Sequence, residues 1–201
     1  MLIKICGICN PRDAETAVAA GTDLLGFIFV EGTPRVLNSS QCGWIRNLKG
    51  AATVGVFRDS TLDRILEIRA KLDLDWIQFH GSEPDAWLDT LGPRVIRRVP
   101  VPANGIDRLR VEALSLRKVL PLIDPGAGDG ATCDWRVLAQ QLEGLNYGLA
   151  GGLTPQNVAD AVSIVRPALV DVSSGVERVP GIKDHTKIQE FIRAARSAAT
   201  A

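Results

Sequence analysis

Short apolar runs alternate along the whole chain with longer segments in which apolar residues recur at helical spacing. Short runs rich in Val, Ile, Leu and Phe, bounded by polar or glycine residues, are typical of strands that are buried on both faces. The pattern predicts eight strands: Leu2–Ile5, Leu24–Phe29, Thr53–Phe57, Trp76–Phe79, Val95–Arg98, Val119–Ile123, Tyr147–Leu149 and Ala168–Val172.

A helical segment follows each predicted strand. The predicted helices are Pro11–Ala20, Ser39–Asn47, Leu62–Lys71, Glu83–Leu91, Gly105–Leu114, Trp135–Leu142, Pro155–Val165 and His185–Ala198. Asn10 precedes Pro11 and Thr154 precedes Pro155, which places a capping side chain before a proline in the first turn. The segment 60–63 resembles a capping box.

Consecutive strand–helix units predict parallel strands that are joined by helical crossovers. Two architectures fit this order, a closed (β/α)8 TIM barrel and an open, doubly wound sheet. The first strand is not followed by the G-x-G-x-x-G sequence of dinucleotide-binding open sheets, and no linker divides the chain. We therefore predict an α/β fold, a single (β/α)8 TIM barrel domain over residues 1–201. The weakest strands are Val95–Arg98, which ends on charge, and Val119–Ile123, which contains Pro121.

Composition narrows the class of partner. Hydrophobic residues make up 46% and charged residues 23%, as in ordinary globular proteins, and the 23 basic residues balance the 23 acidic ones. This balance predicts no nucleic-acid or membrane partner, while small anionic ligands remain open. The N-terminus enters a strand directly and no apolar run is long enough to span a bilayer, so we expect a cytoplasmic protein.

Polar residues cluster where the predicted strands end. The carboxyl ends of the strands and the loops after them form the functional face of a TIM barrel. Residues two apart on a strand share a face, which pairs Lys4 with Cys6, Gln78 with His80, and Asp171 with Ser173. We expect these side chains to point inward at the barrel mouth.

The loops after the last two strands predict a phosphate site. They contain Gly151-Gly152 and Ser173-Ser174-Gly175, at the position where barrel enzymes often bind phosphate. Glycines let backbone N–H groups approach phosphate oxygens, and serine hydroxyls add donors. The alternative is that these residues only form turns.

Cys6 is the candidate catalytic base. It ends a strand and has Lys4 about 6.6 Å away on the same face. An ammonium at that distance favours the thiolate and is expected to draw the thiol pKa from about 8.5 towards neutrality. The alternative is an inert buried cysteine.

Asp124 is the candidate acid. It ends an apolar strand, where a carboxyl group is either hydrogen-bonded, solvated in a turn before Pro125, or kept neutral by desolvation. A protonated Asp124 opposite a thiolate Cys6 would move protons between neighbouring carbons and oxygens, which is sugar isomerisation chemistry.

The other polar candidates have weaker support. Arg35 either holds a substrate carboxylate through two hydrogen bonds or is an ordinary arginine on the surface of its loop. His80 fits an acid, a ligand or a structural imidazole, and with only His185 besides it a histidine metal cluster is not available. We expect no metal or cofactor. We expect apolar helix residues such as Trp44 and Trp87 to be exposed, but they are too scattered to define an interface, so a monomer and a homodimer both fit.

Five segments, in order, resemble the phosphoribosylanthranilate isomerase family of tryptophan biosynthesis, and the resemblance covers nearly the whole chain. They are Lys4-Ile-Cys-Gly-Ile8, Gln78-Phe-His-Gly81, Gly151-Gly-Leu-Thr-Pro-Gln-Asn157, Asp171-Val-Ser-Ser-Gly-Val-Glu177 and Pro180-Gly-Ile-Lys-Asp184. The segment 128–135 also matches the family after the acid. Singly these motifs are modest, but in register they are specific.

The resemblance implies an acid–base Amadori rearrangement of N-(5'-phosphoribosyl)anthranilate to the 1-deoxyribulose 5-phosphate product. Asp124 would protonate the furanose ring oxygen and Cys6 would remove the C2' proton. Arg35 matches the position that handles the anthranilate carboxylate, and Asp171 the one near the ribose hydroxyls, while the two small-residue loops would hold the phosphate. The substrate itself comes only from the resemblance, which implies no cofactor.

Cys9 stands where the family usually has threonine, so that Cys6 and Cys9 form a C-x-x-C sequence. Such a pair is compatible with a redox motif or half a zinc site, although Cys42 and Cys133 stand alone. A Cys6–Cys9 disulfide would remove the base, which predicts reversible oxidative inactivation. A related phosphosugar isomerase or epimerase, or an inactive phosphate-binding barrel, are the competing functions.

Overall fold

The chain folds into a closed barrel of eight parallel strands in the order β1 to β8, in a computed structural model that describes residues 1–102, 105–126 and 133–200. The strands are β1 Leu2–Cys6, β2 Leu24–Ile28, β3 Ala52–Phe57, β4 Trp76–Phe79, β5 Val95–Val99, β6 Leu120–Ile123, β7 Gly148–Leu149 and β8 Leu169–Val172. The predicted TIM barrel is thus confirmed, including both weak strands. Pro121 is accommodated in β6 opposite Arg97.

Among the residues that the structure describes, six helices lie between strands in the chain, and the seventh follows the last strand. They are α1 Pro11–Ala19, α2 Leu62–Leu72, α3 Leu88–Leu91, α4 Arg108–Leu116, α5 Trp135–Gln141, α6 Val158–Val165 and α7 His185–Ala199. A short antiparallel hairpin, β9 Glu177–Val179 and β10 Ile182–Lys183, follows β8 and was not predicted. In the described part of the chain, no helix combines the length and the apolar character needed to cross a membrane.

Two predicted helices are wrong, and local chemistry explains both. In place of Ser39–Asn47 there is only a 3-10 turn, Gly43–Asn47, because the Asn38 side chain accepts from the Ser40 backbone N–H and competes with a helical start. In place of Glu83–Leu91 there is a 3-10 turn from Asp85 followed by α3, because Pro84 disfavours helical geometry at the residue before it.

The predicted first residues of helices α1 and α2 are confirmed, and that of α6 is wrong. The Asn10 side chain accepts from Asp13 N, as the predicted cap requires. At α2 the cap is Thr61, which accepts from Arg64 N, so the capping box predicted to begin at Ser60 is wrong by one residue. Helix α6 begins at Val158 rather than at 155, because Asn157 is used in the preceding loop. There its Oδ1 accepts from Thr154 N and its Nδ2 donates to Gly152 O.

Alternating residues of the strands build two separate apolar cores. Strand residues such as Leu25, Val95 and Val170 pack with the helices in the outer core. Their neighbours along the strands form a small cluster without helix residues: Leu24, Val54, Ile96, Leu122, Ala150 and Leu169. Since adjacent strand residues point to opposite faces, this cluster is the inside of the barrel.

Trp44 and Trp87 belong to the outer core, contrary to the expectation that they are exposed. Both are partly buried, Trp44 edge-on to Phe27 at 5.7 Å and Trp87 edge-on to Phe79 at 6.3 Å between ring centroids. Their rings therefore pack short loop turns onto β2 and β4.

The two-core arrangement predicts where truncation destabilises the protein. Leu25→Ala removes a fully buried side chain and is expected to lower the free energy of unfolding by about 2–5 kcal/mol. The matched control Leu116→Ala, on a side chain that is 86% exposed, should change it by no more than about 0.5 kcal/mol. Urea unfolding measures both, and equal effects of the two variants would contradict the burial assignment.

Candidate active site

The carboxyl ends of the strands surround one pocket of about 910 Å³, counted up to its open mouth. All ten predicted site residues line it: Cys6, Arg35, His80, Asp124, Gly151, Gly152, Asp171, Ser173, Ser174 and Gly175. The pocket lies above the interior apolar cluster, since its inward side chains follow the cluster residues on the same strand faces. The predicted segment 128–135 lies largely outside the described residues.

Lys4 forms a fully buried ion pair across the seam where the barrel closes. Its Nζ donates to Asp171 Oδ2 at 2.8 Å, and the two residues face each other in the register of β1 and β8. The ammonium is completely inaccessible, and pairing keeps the pKa of Lys4 above its ordinary value in spite of burial. Lys4 is therefore a buried cation within the barrel.

The prediction that Lys4 draws the pKa of the Cys6 thiol towards neutrality is wrong. Burial raises the pKa of Cys6 above its ordinary value; Lys4 lowers it, as predicted, while the Asp171 charge raises it. Because Asp171 also holds the ammonium, desolvation outweighs the attraction to Lys4. Cys6 is thus a protonated thiol at neutral pH.

Gly26 makes room for the Cys6 and Lys4 side chains. It lies opposite Cys6 on β2. A Cβ at this position would stand 2.8 Å from Cys6 Sγ and 2.9 Å from Lys4 Nζ. The missing side chain lets the thiol and the ammonium occupy the same stretch of the interior, and sequence reasoning missed this role.

Cys9 faces a different cavity from Cys6. Its Sγ lies 3.5 Å from Gly7 O and 3.7 Å from Arg35 O, and the side chain lines a surface cavity that also contains Cys42. All four cysteines are free thiols. Cys6 and Cys9 line separate cavities, and the Cys6–Cys9 disulfide under oxidising conditions stays a prediction.

Asp124 is buried, so the alternative of a solvated turn aspartate is wrong. Its Oδ1 accepts from Gly126 N at 3.2 Å, and its Oδ2 lies 3.7 Å from His80 Nε2 and 3.6 Å from Arg98 Nε. Arg98 Nη2 also donates to the main-chain oxygens of Asp124 and Gly126. Arg98 therefore positions this segment. Arg98 lies two residues after Ile96, whose side chain points into the barrel. This spacing was the signal in the sequence that could have placed Arg98 at the pocket.

His80 is neutral at physiological pH. Burial and the nearby charge of Arg98 lower its pKa to about 4, with smaller contributions from Lys4 and Arg58. An uncharged imidazole can accept a hydrogen bond at one nitrogen and donate at the other. This favours a polar contact with a ligand and disfavours a role as a cation.

Five buried polar atoms have no hydrogen-bond partner among the described residues: Gln78 Oε1, His80 Nδ1, Arg98 Nε, Asp171 Oδ1 and Ser173 Oγ. Four of these side chains line the pocket and Arg98 adjoins it at Asp124. Buried polar groups are nearly always hydrogen-bonded in proteins, so such a concentration is typical of a ligand site. Gln78 was noted on the correct strand face but not counted among the site residues.

The two small-residue loops adjoin each other. Gly151 and Gly152 have φ values of 88° and 60°, which favour glycine. A Cβ on Gly175 would lie 1.9 Å from Leu153 O, so the 3-10 turn Ser174–Val176 packs directly on the loop after β7. Their close approach brings backbone N–H groups and the Ser173 hydroxyl to one side of the pocket, an arrangement suited to an anion.

Arg35 reaches the pocket from the loop after β2 and forms a bidentate pair with Glu177 of the hairpin, at 2.7 Å for both hydrogen bonds. The Glu177 carboxylate also accepts from Lys183 Nζ at 3.0 Å. Glu177 and Lys183 lie in the hairpin β9–β10, which was not predicted, so no role was expected for either. Among the described residues, no group of three His, Cys, Asp or Glu side chains is arranged to hold a metal ion.

The low pKa of His80 predicts a pH-dependent stability. An imidazole that titrates at about 4 when folded and 6.5 when unfolded stabilises the protein fully above pH 6.5 and loses this contribution as the pH falls towards 4. Between pH 7 and pH 4.5 the wild type should therefore lose about 2–3 kcal/mol more unfolding free energy than His80→Gln. Proton NMR checks the pKa directly, with His185→Gln to assign the two histidines; titration of His80 near 6.5 would contradict it.

The high pKa of Cys6 predicts slow alkylation. In a variant with Cys9, Cys42 and Cys133 replaced by Ser, the pH profile of iodoacetamide labelling reports Cys6 alone. We expect its midpoint above the ordinary value of 9.0 in the folded protein, and a return to that value in denaturant. A folded-state midpoint below 8 would show that Lys4 outweighs burial.

Comparison with known proteins agrees with this geometry. Residues 3–194 match the family model described as N-(5'phosphoribosyl)anthranilate (PRA) isomerase. An N-(5'-phosphoribosyl)anthranilate isomerase from Roseiflexus castenholzii is 39% identical, over 99% of this chain and all of the relative.

Two solved structures are similar throughout. One is a phosphoribosyl anthranilate isomerase in complex with reduced 1-(o-carboxyphenylamino)-1-deoxyribulose 5-phosphate, with a TM-score of 0.82 and 35% identity over 98% of this chain and 100% of the other. The second describes mutually generated monomers of the dimeric enzyme from Thermotoga maritima, with a TM-score of 0.82 and 34% identity over the same shares. With its matching barrel, pocket and full-length relatives, this chain belongs to the N-(5'-phosphoribosyl)anthranilate isomerase family.

Proposed function

We propose that this protein isomerises N-(5'-phosphoribosyl)anthranilate to 1-(2-carboxyphenylamino)-1-deoxy-D-ribulose 5-phosphate, a step of tryptophan biosynthesis. The observation that carries the proposal is the convergence of Cys6 and Asp124 on one pocket that is also lined by Arg35 and by the two small-residue loops after β7 and β8. The ligand of the 35% identical relative, with a carboxyphenyl group at one end and a phosphate at the other, has the same distribution of chemistry.

Asp124 is the proposed acid in the first step. Its carboxyl proton passes to the furanose ring oxygen, the bond from that oxygen to C1' breaks, and the nitrogen lone pair forms an iminium. The backbone N–H of Gly126 and the side chain of Arg98 hold the carboxyl group in place. This orientation matters because a general acid must lie within hydrogen-bond reach of its target.

Cys6 is the proposed base in the second step. The thiolate takes the C2' proton, the electrons of that C–H bond form the enolamine, and the enolamine tautomerises to the ketone. Lys4 and Lys183 both lower the pKa of Cys6, and Asp171 raises it. A ribose hydroxyl that donates to Asp171 Oδ1 would disperse the opposing charge, so substrate binding favours transfer of the thiol proton to water and formation of the thiolate. The scheme moves only protons and therefore requires no cofactor.

Binding roles follow from the positions of the remaining groups. Arg35 meets the aromatic carboxylate, Asp171 and neutral His80 meet ribose hydroxyls, and the loops of Gly151-Gly152 and Ser173–Gly175 hold the phosphate. The free atoms Asp171 Oδ1 and His80 Nδ1 are available for these contacts. A charge-assisted contact at each end fixes the sugar between the acid and the base.

The proposal treats residues 1–201 as one domain, because pairing of β1 with β8 joins both ends of the chain in the same barrel. We place the enzyme in the cytoplasm, since four free cysteines fit a reducing compartment. A partner other than the small substrate is not required. The relative from Thermotoga maritima is described as dimeric, and a homodimer is the proposed alternative to a monomer.

Turnover of N-(5'-phosphoribosyl)anthranilate, followed by its fluorescence, tests the function. Wild type should convert the substrate, while Cys6→Ser and Asp124→Asn should each reduce kcat by about 10²–10⁴-fold, the usual contribution of a general acid or base. Cys42→Ser, in the separate cavity, and Asp63→Asn, exposed on α2, are the matched controls and should retain activity.

Two outcomes would contradict the proposal in different ways. A wild-type protein without turnover would overturn the assigned reaction and favour another phosphosugar substrate or an inactive phosphate-binding barrel. Full turnover in both site variants would leave the reaction intact and overturn the roles of Cys6 and Asp124. Circular dichroism of each variant separates loss of chemistry from loss of the fold.

A further inference from the structure

The hairpin β9–β10 is an addition to the barrel that packs against the loop carrying Arg35. Its turn contains Gly181, where φ is +84° and a Cβ would lie 2.8 Å from Pro34 O. The same hairpin supplies Glu177 and Lys183, whose side chains are 5% and 0% exposed. Two buried charges on so short a hairpin are costly unless they are paired, and their pairing connects the hairpin to Arg35 and to the loop after β8.

The first connection runs to Arg35. The guanidinium uses Nε and Nη2 to donate to the two oxygens of Glu177, each at 2.7 Å. Among the described residues, its other terminal nitrogen, Nη1, has no hydrogen-bond partner. Since the bidentate contact fixes the plane of the guanidinium, it also fixes the direction in which Nη1 is presented.

The second connection runs to the phosphate loop. Lys183 Nζ donates to Glu177 Oε1 and to the backbone oxygen of Ser173, both at 3.0 Å. Ser173 is the residue whose buried hydroxyl has no partner in the pocket. The ammonium therefore ties the loop after β8 to the carboxylate that holds Arg35.

Arg35 and Ser173 also approach each other at Gly7, the residue after Cys6. A Cβ there would lie 2.7 Å from Arg35 Cδ and 2.9 Å from Ser173 Oγ, and Gly7 has a φ of +72°. The Arg35 stem and the Ser173 hydroxyl thus pass directly over the backbone beside the thiol. Small displacements of either group would change the position of a ligand relative to Cys6.

We propose that Glu177 and Lys183 are positioning residues, in which Glu177 orients Arg35 for an aromatic carboxylate and Lys183 holds the Ser173 backbone for the phosphate. The inference rests on the proposed function, because it takes the carboxylate and the phosphate as the two charged ends of the substrate. Neither residue touches the reacting atoms. Together they set the separation between the two anion contacts.

Glu177→Gln tests the first half, because it keeps the size of the side chain and removes the bidentate charged acceptor. We expect KM for N-(5'-phosphoribosyl)anthranilate to rise about tenfold, with kcat changed less than about threefold. For N-(5'-phosphoribosyl)aniline, which lacks the carboxylate, KM should change less than about twofold. Glu112→Gln, which alters the exposed pair with Arg108 on α4, is the matched control and should behave as wild type.

A double-mutant cycle separates positioning from general destabilisation. If Glu177 acts through Arg35, then Glu177→Gln adds nothing to the effect of Arg35→Met on KM. Additive effects, or an equal rise in KM for both substrates, would overturn the role of Glu177. If Glu177→Gln does not fold, Glu177→Asp keeps the charge beside Lys183 but withdraws it from Arg35, and the same expectations apply.

Competitive inhibition by inorganic phosphate tests the second half. Lys183→Met should weaken it several-fold, while Glu177→Gln, which leaves the Lys183–Ser173 contact in place, should leave it within about twofold. Unchanged inhibition in Lys183→Met would overturn the role of Lys183.

Equilibrium binding keeps this inference separate from the proposed reaction. Calorimetry with the reduced 1-(o-carboxyphenylamino)-1-deoxyribulose 5-phosphate and with its decarboxylated counterpart requires no turnover. A loss of affinity in Glu177→Gln that is confined to the carboxylated ligand supports the positioning role even if wild type proves inactive. Equal losses for both ligands would overturn that role even if wild type is an active isomerase.

Discussion

The ion pair between Lys4 and Asp171 is the constraint on which the rest of the site depends. It joins the first and last strands of the barrel at a register position where the two residues face each other. A lone charge at this depth would cost several kcal/mol, so each residue requires the other in the closed barrel. Closing the barrel between β1 and β8 therefore also fixes the position of this charge pair in the pocket.

The pair also divides the barrel interior into an apolar and a polar part. Towards the amino ends of the strands, the inward residues form a small apolar cluster that includes Leu24 and Leu169. Two residues further along the same faces come Gly26 and Asp171, and from there upward polar side chains such as Gln78 and Asp124 join apolar ones such as Ile28 and Val56. The apolar layers fill the barrel as in other TIM barrels and leave the polar layer to bind a ligand. Asp171 contributes both to barrel closure and to the pocket, since its Oδ2 accepts from Lys4 and its Oδ1 has no hydrogen-bond partner among the described residues.

Periodicity was sufficient to predict the barrel and the strand-end residues of its pocket such as Cys6, Asp124 and Asp171, because both depend on local alternation along parallel strands. It failed where one side chain competes with the backbone, as Asn38 and Asn157 do, or where Pro84 blocks a helical residue before it. Periodicity also did not predict the charge network of Arg35, Glu177 and Lys183. Glu177 is 142 residues from Arg35 in the chain, so their bidentate contact depends on a hairpin with too few residues to show a pattern.

The ionisation of Cys6 shows why proximity on a strand does not settle a pKa. The spacing of Lys4 and Cys6 was read correctly, but the ammonium is shared with Asp171 and the thiol is desolvated, so burial prevails. The same desolvation keeps His80 neutral. The thiol of Cys6 and the imidazole of His80 are thus uncharged, while fixed charge lies nearby, where Arg35 is paired with Glu177 and Lys183 donates to the backbone oxygen of Ser173. Under the proposed function, those fixed charges would bind a substrate with two anionic groups, and its hydroxyls would contact Asp171. Formation of the proposed base would then be coupled to substrate binding.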